Sequence, residues 1–251
     1  MVNSDRASAP AVVRAVRILS YLAGHATAQR LTAIAGAIGI PVSSTAAICN
    51  ALEAERMIVR RNEGYVLGPL NVELAQRFLS QLQPLSAFAD VVADYTSLRH
   101  ETVQIALLDG FDMLYVARRD SDQPFLISSA VGKRLPANCT AVGKASLALL
   151  TPEQRRIPKQ LPSLTDRSIV DPKELLAAIE EAAERGYAVD DEETSPGVMC
   201  LAVARKTPRN EVYGISATML KSRVTPQLRD AIVHDLTSTA DSLFPPELKP
   251  A

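Results

Sequence analysis

The 251-residue chain has no tryptophan, only six tyrosines and five phenylalanines. With so few rings, stacking on the bases of a single strand is a poor expectation, and any nucleic-acid partner would be duplex DNA. Cys49, Cys139 and Cys200 are odd in number and far apart, so they supply neither a disulfide framework nor a paired zinc motif. The histidines are His25, His100 and His234, none with a second ligand at metal-binding spacing, which leaves metal sites and histidine-assisted catalysis without their usual parts. Every long apolar run is broken by charge or polar groups, and the N-terminus does not have the form of a secretory signal. A cytoplasmic protein is expected, with no membrane span, no metal and no cofactor.

Net charge is only −1, so bulk basicity does not advertise nucleic acid. Its distribution is uneven. Residues 1–70 carry seven arginines, no lysine and four acids, a balance of +3, and the remainder carries −4. The basic excess falls where the helical pattern suggests DNA contact.

That pattern begins with a helix expected over residues 10–23, its apolar face formed by Val12, Val16, Leu19 and Leu22. A second helix is expected with Thr32 as N-cap, Ile34, Ala35 and Ile38 as its stripe, and Gly39 as a left-handed C-cap. Pro41 opens a third, in which Thr45, Ile48, Cys49 and Leu52 recur at helical spacing as a buried face. The opposite stripe, Ser43, Ala46, Ala47 and Asn50, has short side chains that let a helix lie close in a major groove. Residues 57–61 and 65–67 then read as two strands joined through Asn62-Glu63-Gly64, a basic hairpin carrying Arg60 and Arg61. Three helices followed by such a hairpin outline a winged helix-turn-helix over residues 9–69, with Arg14 and Arg17 as further phosphate contacts.

A linker helix is expected over 70–84, broken at Pro84, and a helix over 85–98 opens a larger domain spanning 85–246. Val103, Ile105 and Leu107, a turn at Asp109-Gly110, and Met113, Tyr115 and Ala117 indicate an antiparallel hairpin. Helices follow at 140–150 and from a cap at Asp171-Pro172 to Gly186; then strands at 198–204 and 211–218, and a helix at 226–243. The mixture predicts α+β architecture with a mostly antiparallel central sheet.

Within this half, the loop running into the helix at Thr140 leaves first-turn amides for an anion, and a carboxylate would suit them. Ser216 and Thr218 are two apart on a strand and face the same side. The run Asp190-Asp191-Glu192-Glu193 reads as a solvated loop rather than a metal site.

Several segments resemble the IclR family of bacterial transcriptional regulators. They are Arg14-Ala15-Val16-Arg17-Ile18-Leu19, Gly39-Ile40-Pro41 with Ser43-Ser44, and the stretch 131–136 continuing through Thr140-Ala141-Val142-Gly143-Lys144-Ala145. Residues 185–193 and 196–202 complete the match, which spans nearly the whole chain. The resemblance implies a winged-helix reader joined by a linker helix to a GAF/PAS-like effector-binding domain, in a homodimer or homotetramer on operator DNA. It places the effector, a small organic acid or aromatic catabolite, on Ala141, Val142, Asp190, Cys200, Ser216 and Thr218, and family habit favours repression.

The chain departs from the family at two places. Val42, Ala46 and Ala47 stand where members often carry Lys, His or Arg, so direct base reading falls to Ser43, Ser44 and Asn50, with wing contacts, methyl contacts or DNA shape supplying the rest. Asn138 replaces a frequent histidine. The residues also admit a different function class: an enzyme with Cys200 as nucleophile beside Asp190, its winged helix kept for dimerisation.

Overall fold

The computed structural model describes residues 9–82, 85–122 and 130–245, which fall into one unit ending at Gln81 and another beginning at Leu82. In the first, α1 (Pro10–Ala23), α2 (Leu31–Ile38) and α3 (Val42–Ala54) precede a hairpin of β1 (Ile58–Arg61) and β2 (Gly64–Leu67), then α4 (Leu70–Gln81). Gly39 takes the left-handed cap with φ 74°, and α2 and α3 meet at 110°, the geometry of a helix-turn-helix. Ile18, Leu22, Ile34, Cys49, Ile58 and Tyr65 form the core.

Two expectations for this unit need correction. The α2 helix starts at Leu31, so Thr32 lies inside the first turn and Arg30, without a side-chain cap, takes the N-cap position. The cause is Gln29, which exchanges two backbone hydrogen bonds with Tyr65 and delivers the chain extended to Arg30. The buried side of α1 is Ile18 and Leu22 with half-buried Leu19, whereas Val12 and Val16 are 61% and 55% exposed. Packing of α2 and α3 against Ile18 and Leu22 selects one apolar stripe and leaves the other uncovered.

The second unit runs α5 (Phe88–Ala93), β3 (Thr102–Asp109), β4 (Asp112–Arg119), β5 (Arg134–Pro136), α6 (Ala141–Ala148), α7 (Pro172–Arg185), β6 (Ala188–Asp191), β7 (Val198–Lys206), β8 (Val212–Leu220) and α8 (Pro226–Leu243). Its strands form one antiparallel sheet in the order β5-β4-β3-β8-β7-β6. The helix expected over 85–98 is shorter: it stops at Asp94, where extended Tyr95 lets Leu98 reach the core from a separate turn. Pro84 lies outside the described residues. Asp171 caps α7 by accepting from Lys173 N at 2.7 Å, and Gly186 ends it.

Helices α6 and α8 both pack on the sheet, so alternate residues of the central strands are buried on opposite faces. Close approach on the α6 side depends on two glycines. A Cβ at Gly143 would lie 2.2 Å from Ala137 O, and one at Gly214 would lie 2.8 Å from Val142 Cβ. Helix α6 is thereby seated directly on β7 and β8 of the sheet.

Candidate functional sites

The α3 helix presents Ser43, Ala47 and Asn50 to solvent, while Ser44 and Ala46 are half-buried beside it. Thr45 and Cys49 point into the core, so the two stripes separate as their spacing predicts. Among the arginines, Arg30 is engaged with Glu63 at 2.7 Å and Arg60 lies 4.0 Å from Glu53; Arg14, Arg17 and Arg61 have no acidic partner among the described residues. The Arg60 guanidinium sits 4.9 Å from the centroid of the Tyr65 ring and donates to the Tyr65 hydroxyl. Buried Tyr65 thus pre-orients a charge at the base of the wing, and Arg61 stands exposed beside the turn. If Asn50 reads a base edge, Asn50→Ala will cost on the order of 1–3 kcal/mol on the cognate operator and little on random duplex, as measured by competitive gel shift. Equal losses on both would make it a positioning contact.

In the second unit a cavity of about 430 Å³, counting its open mouth, lies between α6 and the sheet. Ala141, Val142, Asp190, Cys200, Ser216 and Thr218 all line it, joined by Gln104, Tyr115, Leu135, Thr140, Thr194, Ser195 and Val198. Strand register brings them together. Thr102, Thr218, Cys200 and Asp190 are successive cross-strand neighbours on β3, β8, β7 and β6, and Gln104 pairs with Ser216 in the next row. Thr218 Oγ1 is 3.3 Å from Cys200 Sγ. At the helix start, Thr140 Oγ1 accepts from Gly143 N at 3.0 Å, so the first-turn amides that remain for a ligand are those of Ala141 and Val142.

The lining contains no lysine or arginine. Its one acid, Asp190, is committed to the chain that follows it, accepting from Glu193 N at 2.7 Å, Thr194 N at 3.2 Å and Thr194 Oγ1 at 2.5 Å. Burial nevertheless raises its pKa from the ordinary aspartate value. Burial, with Cys200 and Asp190 nearby, holds the Tyr115 phenol protonated far above neutrality, so it is available as a neutral donor. Burial also pushes the Cys200 thiol well up, and the Asp190 charge adds to the effect.

The acidic run is not the solvated loop its composition suggests. Asp190 and Glu193 are buried, Asp191 and Glu192 are half-buried, and Lys144, Lys221 and Arg167 compensate them. Asn138 does not line the cavity: its Nδ2 donates to Pro162 O and Ile169 O, both at 2.8 Å, and so fastens the segment between α6 and α7. Among the described residues no cluster of three His, Cys, Asp or Glu could hold a metal ion, and no single helix is long and apolar enough to cross a membrane.

Comparison with known proteins settles the family. The profile described as IclR helix-turn-helix domain matches residues 11–62, and that of bacterial transcriptional regulator IclR C-terminal matches residues 76–244. The chain belongs to the IclR family. It is 29% identical over 249 residues to the probable transcriptional regulator SauR of Cupriavidus necator, covering 97% of this chain and 98% of that one. The IclR crystal structure from Thermotoga maritima superposes with a TM-score of 0.70 at 25% identity, covering 92% and 96% of the two chains. An IclR homolog from Microbacterium hydrocarbonoxydans, complexed with 4-hydroxybenzoate, shares the fold at 21% identity with a TM-score of 0.75 over 93% and 98%.

This IclR-family protein is therefore a DNA-binding transcriptional regulator. Its cavity also contains residues that sequence reasoning passed over. Gln104 gave a signal, being a polar residue inside an apolar alternation; Tyr115 was read only as part of that alternation. Thr194 and Ser195 gave none, because only the fold brings their loop over the sheet.

Proposed function

We propose that this IclR-family regulator binds a promoter operator as a homo-oligomer in the cytoplasm and changes its hold on that operator when a small organic acid fills the cavity. The observation that carries the reading is the convergence of two unpaired first-turn amides with the hydroxyls of Tyr115, Ser216 and Thr218 around one cavity. The amides suit a carboxylate and the hydroxyls suit a hydroxyl or carbonyl oxygen of the same molecule. With no cation in the lining, a single carboxylate is accommodated better than two. The 4-hydroxybenzoate held by the Microbacterium protein is a ligand of this general chemistry. Repression is favoured, since the AllR proteins of Salmonella, 29% identical over 252 residues, are named repressors. Exposed Val12 and Val16 on α1, with Val72, Leu74 and Phe78 on α4, are apolar surface available for self-association.

The enzyme reading finds no support at Cys200. A catalytic thiol needs a lowered pKa and a base, whereas burial and the neighbouring acid move this one the opposite way.

The test is binding of the full-length protein to DNA flanking its own gene, titrated with a panel of small aliphatic and aromatic carboxylic acids. At least one acid is expected to shift the binding curve. Ser216→Ala should weaken that response by roughly 1–2 kcal/mol of ligand affinity while leaving acid-free DNA binding at wild type. A panel-wide lack of response, or a Ser216→Ala response equal to wild type, would argue against this site.

A further inference from the structure

Lys144 lies one turn beyond Ala141 on α6, is 3% exposed, and does not line the cavity. Its ammonium pairs with Oε1 of Glu193, which is 6% exposed and 49 residues away in sequence. Glu193 belongs to the 192–197 loop, whose Thr194 and Ser195 form one wall of the cavity; Ala141 and Val142 form another. The ion pair therefore ties two walls of the same site. Other contacts fasten the loop to its own surroundings: Ser168 Oγ donates to Glu193 O at 2.7 Å, and Lys221 holds Glu192 at 2.6 Å. Among the described hydrogen bonds, only that of Lys144 joins this loop to α6.

A buried ion pair is a poor device for stability alone. Removing two charges from water costs several kcal/mol, and packed apolar residues of similar volume often do as well or better. Compensation here is incomplete, since Glu193 Oε2 has no hydrogen-bond partner. What the pair supplies is direction: a charged contact of fixed geometry between one helix and one loop. Its charge also reaches the site, acting on both Asp190 and Cys200.

The geometry points to Lys144 as a positioning residue for the effector site: through Glu193 it holds the 192–197 wall against α6, and the cavity keeps its shape only while the pair is intact. This rests on the cavity being the effector site, yet it concerns the wall itself and is testable without any effector. Cys200 lines the cavity on the strand that follows the loop, and Cys49 lies in the core of the other unit. The full-length protein is alkylated with iodoacetamide, with each cysteine followed by mass spectrometry, and backbone hydrogen exchange is measured in parallel. Losing Lys144 by itself disfavours the Cys200 thiolate, but opening the wall lifts the larger effect of burial on the same thiol, so Lys144→Met is expected to raise the Cys200 alkylation rate tenfold or more, and Glu193→Gln by less. Exchange of the Glu193 and Thr194 amides, which donate to Asp190, should quicken with it, while Cys49 and the amides of α8 stay at wild-type rates. In the double variant Lys144→Met/Glu193→Leu, an apolar contact replaces the pair without leaving a buried charge, and Cys200 should remain fast.

Wild-type protection of Cys200 in Lys144→Met or in the double variant would overturn the proposal. So would faster exchange throughout α8 together with a lowered melting temperature, which would make the pair merely structural. Failure of the effector reading would look different: no acid would perturb the DNA complex, whatever the Cys200 rates.

Discussion

Ala141→Leu is expected to give a protein that still binds its operator and no longer answers any acid that works on the wild type. Ala141 is 1% exposed, lines the cavity, and offers one of its two remaining first-turn amides. A leucine there places three more carbons where a carboxylate must approach the backbone, and a ligand oxygen cannot reach an amide through a methyl group. Overpacking costs typically 1–3 kcal/mol, so a modestly lower melting temperature is anticipated for the second unit. The residues proposed to contact DNA all lie in the first unit, before Gln81. Gel shifts with and without acid, alongside thermal melts, separate the two effects. A full wild-type response from Ala141→Leu would place the effector elsewhere.

Loss of Arg60 and Arg61 together is expected to weaken binding to operator and random duplex alike. Phosphate contacts release condensed counterions, so each one removed should flatten the dependence of log K on log salt by roughly one unit. Between about one and two units per engaged reading head should therefore vanish in Arg60→Ala/Arg61→Ala. The two residues are not equivalent. Arg61 is exposed and makes no ion pair among the described residues, whereas Arg60 is held over Tyr65 and lies 4.0 Å from Glu53. Arg61→Ala alone should account for a full unit and Arg60→Ala for less. An unchanged slope in the double variant would remove the wing from the phosphate interface.

What the sequence made legible were features with local causes. The helix expected from Pro226 to about Leu243 is α8, with the proline in its first turn and Thr225 Oγ1 accepting from Leu228 N at its start. The same holds for Asp171 and Gly186 at the ends of α7 and for Asp109-Gly110 in the β3–β4 turn. Features decided by distant residues were not legible. Periodicity admits two apolar stripes on α1, and only packing of α2 and α3 shows that Ile18 rather than Val16 is inside. The charges at 190–193 look solvent-loving until Lys144 and Lys221 arrive from α6 and from the end of β8. The strands β5 and β6, three and four residues long, are too short for alternation alone to mark them; β1 and β2, no longer, were marked by the Asn62-Glu63-Gly64 turn between them.

The site itself was partly readable, for the same reason. Thr140 at a helix cap and the Ser216, Thr218 pair are short-range patterns. Their meeting with Asp190, Cys200, Gln104 and Tyr115 depends on strand register, which no local pattern encodes.

The alternation of β3, β7 and β8 has a consequence for how such a regulator can change its diet. Even-numbered positions, Gln104, Cys200, Ser216 and Thr218, meet the cavity, while their odd-numbered neighbours Ile105, Leu201, Ile215 and Ala217 are buried on the other face. If the cavity is the effector site, the face opposite it is given wholly to packing, while the cavity face combines recognition with the packing of α6. Exchanges at the first set would then retune which molecule is admitted while leaving the packing of the opposite face in place, so descendants of one scaffold would come to monitor chemically unlike metabolites through a handful of parity-matched substitutions.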